Sequence, residues 1–94
     1  MKSKSKEELS KDWARRGFSC DLWTDAPGQR WENYVHDVDE LFCVSEGKIE
    51  FEMNGKKQIL EPGQEILIPS GVYHSVRNAG DKTAKWFYGY KRTN

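Results

Sequence analysis

Both histidines of this 94-residue chain, His36 and His74, fall in glycine-bounded stretches, 34–47 (YVHDVDELFCVSEG) and 63–78 (GQEILIPSGVYHSVRN). His36, Val38 and Glu40 share parity on an extended backbone, so the imidazole and the carboxylate project to one side. Neutral imidazoles and an ionised carboxylate are donors that a divalent metal accepts at about 2.0 to 2.2 Å, with positions left for water or substrate. Without a metal, the same groups form a hydrogen-bonded polar cluster, and its burial among apolar residues would need compensation. Both alternatives place the cluster in one pocket.

The spacing around these residues is specific. Gly63, Pro69, Gly71, His74 and Asn78 follow G-x5-P-x-G-x2-H-x3-N without departure, and Gly28, Tyr34, His36, Glu40 and Gly47 fit G-x5-H-x-H-x3,4-E-x6-G with Tyr34 at the first histidine. From Trp23 to about Tyr90 the chain thus resembles the cupins, small antiparallel jelly-roll barrels. The resemblance implies an all-β fold with His36, Glu40 and His74 as ligands of a divalent metal ion (Fe, Zn, Mn, Ni or Cu), the 2-His-1-carboxylate set of open-coordinate Fe(II) sites. A phenol with a pKa near 10 is a poor ligand at neutral pH, so Tyr34 is expected to act on a bound water or on substrate, as a catalytic proton donor.

The elements that must position these groups are short strands. Ser5 and Glu8 have capping-box spacing, and Lys6 to Arg16 runs unbroken to Gly17, with Leu9, Trp13 and Ala14 as an apolar stripe, predicting a short N-terminal α-helix after a basic, disordered tail. Alternation predicts a strand over Phe18–Trp23, followed by the turn cluster TDAPG. Gln29–His36 is the next strand, and a conflict sits in it: Arg30 and Glu32 share the parity of His36. A bulge or strand end near Asn33 would resolve the conflict. Glu40–Glu46 and Lys48–Met53 flank Gly47 as a hairpin with Ile49, Phe51 and Met53 inward, and Asn54-Gly55 supplies a type I′ turn into Lys56–Leu60. Strands at Glu65–Ile68, His74–Asn78 and Ala84–Lys91 complete about eight, the last with Trp86, Tyr88 and Tyr90 on one face. The expected organisation is a tail and helix over 1–17 and one barrel over 18–94.

Lys plus Arg balance Asp plus Glu at 15 each, and no basic stripe interleaves with aromatics, which argues against nucleic acid or an anionic membrane as partner. No apolar run approaches the roughly 20 residues that cross a bilayer, and MKSKSKEELSK lacks the apolar segment of a signal peptide, so a cytoplasmic location is expected. Cys20 and Cys43 lack C-x-x-C spacing and read as inert part-buried thiols. Asp37 and Asp39 have the opposite parity from His36 and read as solvated loop carboxylates, Asn78 as a turn residue satisfying backbone, and Arg77, one position off the parity of His74, receives no role. Four Trp, four Tyr and four Phe make the core aromatic. Together with the helix stripe they suggest a homodimer. The function expected is a metal-dependent enzyme, oxygen-activating or isomerising, on a small polar molecule; the alternative is a non-catalytic small-ligand or sensor module with a structural metal or none.

Overall fold

Eight antiparallel strands form two facing four-stranded sheets in the computed structural model, which describes residues 5–92. After helix α1 (Lys6–Arg15), the strands are β1 (Asp21–Asp25), β2 (Arg30–Tyr34), β3 (Glu40–Glu46), β4 (Ile49–Met53), β5 (Lys56–Leu60), β6 (Glu65–Ile68), β7 (His74–Asn78) and β8 (Ala84–Tyr90). One sheet has the order β1-β8-β3-β6 and the other β2-β7-β4-β5. The fold is the expected all-β jelly-roll barrel with one short helix. The tail expected before Ser5 lies outside the described residues.

Local sequence chemistry accounts for most of these elements. The Ser5 and Glu8 side chains cap each other's backbone N–H groups at the start of α1. Asn54 and Gly55 both take positive φ, 55° and 75°, as the tight β4–β5 hairpin demands. Three expectations shift. β3 and β4 do not pair as the hairpin expected about Gly47: β3 lies between β8 and β6 and β4 between β7 and β5, so the Gly47 turn carries the chain from one sheet to the other. The first strand begins at Asp21 rather than Phe18 and runs through Thr24 and Asp25, two residues of the expected turn cluster. Ala14, placed in the helix stripe, is exposed; only Leu9 and Trp13 of α1 are buried.

The core has two layers because β3 and β8 are covered on both faces. Inward, Phe42, Val44 and Trp86 pack with Ile49, Phe51 and Leu60 between the sheets. Outward, Leu41, Cys43 and Phe87 pack with Phe18, Leu9 and Trp13. The helix therefore lies across the barrel, and its Trp13 indole donates to Glu65 Oε1 at 2.9 Å. Cys20 and Cys43 form no disulfide. On the outer side of the second sheet, the Arg77 guanidinium donates to Glu32, Glu50 and Glu52 at 2.8–2.9 Å, so its charge is spent on structure. These bonds hold Glu32 down at about 2.

Close approach explains one glycine. A Cβ at Gly89 would collide with the backbone carbonyl of Ser19 and press on the Trp13 ring, where the α1–β1 connection crosses β8. Gly89→Ala is expected to lower stability by about 3 kcal/mol through overpacking against backbone that cannot yield. Urea denaturation measures it, and an unchanged midpoint would mean that the crossing is loose.

Candidate metal and ligand site

The bulge expected near Asn33 is what turns the second strand toward the interior. Asn33 takes φ 55°, a left-handed conformation that asparagine tolerates better than most residues. Its N–H donates to Ser75 Oγ at 2.9 Å, and the β2–β7 register shifts between Trp31 and Tyr34. Trp31, Tyr34 and His36 then all line one cavity while Arg30 and Glu32 stay on the other side. The strand ends at Tyr34, so His36 sits in the following loop.

That loop is tied down. Gly71 N–H donates to His36 O at 2.8 Å, and Ser70 N–H donates to Asp39 Oδ1 at 2.8 Å. Asp39, a partly exposed loop carboxylate, thus also anchors the loop; Asp37 is exposed, as expected. Asn78 satisfies backbone as foreseen, its Nδ2 donating to Ala26 O and Lys82 O while its Oδ1 accepts from Gly80 N–H.

His36, Glu40 and His74 converge. Glu40 Oε1 stands 3.4 Å from His36 Nε2 and 3.5 Å from His74 Nε2, and one ligand atom from each residue lies within 4.8 Å of the others. The His74 ring is fixed by its Nδ1, 3.2 Å from the carbonyl of Val72. A carbonyl only accepts, so Nδ1 carries the proton and the Nε2 lone pair faces Glu40. Burial lowers the His74 pKa and keeps that ring neutral. Glu40, only 6% exposed, has its pKa pushed up to about 7 by desolvation. Its Oε1 is buried without a hydrogen-bond partner. Two acceptors thus face each other across a gap that an electrophile, a proton or a metal ion, would fill. Two donors held at about 2.1 Å from one ion lie about 3.0 to 3.4 Å apart. The observed 3.4 and 3.5 Å stand at the upper edge of that range, within a small side-chain adjustment, so the donor set fits a divalent ion.

Aromatic rings surround this polar floor in a cavity of about 210 Å³. Tyr34, 44% exposed, is half of an edge-to-face pair with Trp31 at 6.0 Å. Tyr90, to which sequence reasoning gave no role in the site, sets its ring 4.9 Å from that of His36. Burial, then the Glu40 charge, pushes its phenol up to about 12, so it stays a neutral O–H. Its place in the alternating run Trp86, Tyr88, Tyr90 was the available signal. Asp25 was missed altogether, being 3% exposed where a turn was expected.

A cupin-domain family model, Cupin_2, matches residues 21–90, and the chain belongs to that family. It is 33% identical over 63 residues to a protein named polyketide synthase CurC from Streptomyces cyaneus, covering 66% of this chain and 41% of that protein. To Protein SchB from Streptomyces halstedii it is 37% identical over 60 residues, 63% of this chain and 44% of that protein. The chain spans less than half the length of these curated relatives. A solved cupin described as a sugar phosphate isomerase, from Silicibacter pomeroyi, superposes with TM-score 0.73 at 25% identity, covering 82% of this chain and 52% of the other.

The raised Glu40 pKa has a stability consequence in metal-free protein. Its favourable contribution is complete below about pH 4.5 and is lost as pH rises through about 7; His74, with its lowered pKa, works in the opposite sense on acidification. Glu40→Gln isolates the first effect. In chelator-treated protein it is expected to gain up to about 3 kcal/mol over wild type at pH 8 and little at pH 4.5, read by urea denaturation. An equal gain at both pH values would mean that Glu40 ionises as it does in the unfolded chain.

Proposed function

We propose that the chain is a metal-dependent cupin enzyme acting on a small molecule, with His36, Glu40 and His74 as the ligands of one divalent ion. The observation that carries this reading is the partnerless Glu40 Oε1 held against two imidazole nitrogens at 3.4 and 3.5 Å. A buried carboxylate so placed costs stability unless a cation compensates it, and retaining that arrangement makes sense for a site built to hold one. Fe, Zn, Mn, Ni and Cu all accept these donors. When bound, the ion supplies Lewis acidity toward a substrate oxygen and, if redox-active, an electron couple for oxygen chemistry.

The remaining work belongs to the protein. Three protein donors leave positions open to solvent or substrate, as an enzyme requires and a bracing metal does not. The Val72 carbonyl holds His74 in the tautomer that presents Nε2. Aromatic walls lower the local dielectric and strengthen the charge interactions at the floor. Tyr34, at the cavity mouth, is the proton donor to a substrate oxygen in this scheme. The similarity to a protein named as a polyketide synthase and to a sugar phosphate isomerase supports an enzymatic role over a sensor role without choosing a reaction. A second reading, a ligand-binding module in which a proton fills the gap, is favoured by the depth of Glu40 burial.

Metal analysis separates them. Protein purified without chelator is expected to carry stoichiometric divalent metal, and His74→Ala to lose it, with affinity falling by more than the roughly 10- to 100-fold that removing an outer partner costs. Tyr34→Phe is expected to keep the metal and lose turnover. Metal-free wild type, or full retention in His74→Ala, counts against the ligand set.

A further inference from the structure

We propose that the cavity is an aromatic slot that selects a planar ring without ionic substituents, and that Asp25 positions its two indole walls. This deepens the metal-centred reading, on which it rests for what becomes of the bound ring. Seven of the eleven residues lining the cavity are Trp, Tyr or Phe, and none is Lys or Arg. The only formally acidic lining group is Glu40. In the metal-free cavity a phosphate or sulfate finds no side-chain cation to receive it and meets the Glu40 carboxylate. A sugar phosphate, the ligand class in the name of the Silicibacter relative, is therefore a poor match for these walls.

The dimensions suit a ring. An apolar void of about 150 Å³ holds benzene. The cavity here, about 210 Å³ and open at its mouth, takes a substituted single ring or the leading ring of a fused pair. Walls come from both sheets: Trp23 and Tyr88 from β1 and β8, and Trp31 from β2, in edge contact with Trp23. Neighbouring rings meet on edge, Trp23 with Trp31 at 5.6 Å and 80°, Tyr88 with Tyr90 at 5.9 Å and 68°. Edge-on packing uses one ring's edge and leaves further faces for a third ring, the arrangement that aromatic quadrupoles favour. A hydroxyl or carbonyl on the leading edge of such a ring would point at His36, Glu40 and His74.

Asp25 makes the walls rigid. Its Oδ1 accepts the indole N–H of Trp23 and its Oδ2 that of Trp31, both at 2.8 Å, while the carboxylate is 3% exposed. One buried group thus ties a ring of each sheet to a common point. It also occupies both indole donors, so these rings offer the ligand π surface and no N–H. That favours a flat hydrocarbon frame over a polyhydroxylated one.

The test follows indole N–H resonances of the full chain, metal-free in chelator and metal-loaded, during titration with 2-naphthol or with glucose 6-phosphate. Among the chain's four tryptophans, Trp13 bonds to Glu65 beneath the helix and reports on non-specific effects. The expected result is a saturable shift of Trp23 and Trp31 with 2-naphthol, already in metal-free protein, with Trp13 unmoved and glucose 6-phosphate silent. Asp25→Asn, which leaves one indole facing a donor, is expected to weaken 2-naphthol binding by roughly three- to tenfold and to speed hydrogen exchange of the two indole N–H groups. Should that variant fail to fold, Trp31→Ala is expected to show a comparable loss of affinity. In metal-free protein, no shift with 2-naphthol, a shift of Trp23 and Trp31 with glucose 6-phosphate, or movement of Trp13 equal to theirs overturns the slot. Unchanged affinity in folded Asp25→Asn, or in Trp31→Ala, overturns the role of the wall concerned. Binding to the metal-free protein is independent of metal content, so either reading can fail while the other stands.

Discussion

A buried carboxylate oxygen confronts an imidazole lone pair at the floor of this barrel, and the rest of the molecule holds them there. Glu40 and His74 lie on different sheets, in β3 and β7, so neither strand alone can set their 3.5 Å separation. The separation persists only if the sheets keep their spacing and the rings their tautomers. The Val72 carbonyl fixes one ring through its Nδ1, and the Tyr90 ring packs edge-on against the other. In water the two acceptors would turn apart or take up solvent; in an aromatic shell they cannot, and the free energy of that confrontation is available to a cation.

Rigidity of the floor comes from burial on both sides of β3 and β8. Their inward residues Glu40, Phe42, Trp86 and Tyr90 face the site or the inner core, while Leu41, Cys43 and Phe87 are sealed by α1. A chain of this length has little core to spare, and aromatic side chains supply large buried area per residue. The helix lets β3 and β8 be apolar on their outer faces without leaving an exposed patch. The second sheet solves the same problem differently, presenting Arg77 and its three glutamates outward at the positions that alternate with His74 and Val76.

Loops carry the remaining precision, and each is held by a polar side chain with defined partners. Asp39 fastens the turn after β6 to the loop that bears His36, Asn78 closes the turn before β8, and Asp25 joins two indoles across the barrel. Such bonds are individually modest, about 1 kcal/mol, but leaving the buried Asp25 or Asn78 unpaired would cost more than the bond contributes. They therefore specify one arrangement of the cavity more than they raise total stability.

Chain-local information was enough for much of this protein. The period-two alternation, the Asn54-Gly55 turn and the Ser5/Glu8 cap are short-range signals whose meaning hardly depends on partners, and they sufficed for most of the strands and the helix; the jelly-roll fold and the convergence of His36, Glu40 and His74 were legible through the resemblance to cupins that the glycine and proline spacing carries. Even the bulge at Asn33 was legible, because parity would otherwise have brought Arg30 and Glu32 inside with His36. What sequence could not reveal depends on pairs far apart in the chain. Asp25 read as a turn residue because its worth lies in Trp31 and the register of β1 against β8; Tyr90 gained its place beside His36 from sheet packing; Ala14 was left exposed because the helix buries a narrower stripe than its periodicity allows. Periodicity reports which face a residue occupies. Only the closed tertiary structure decides what that face meets, because contact, burial and desolvation are properties of pairs of elements and not of either one.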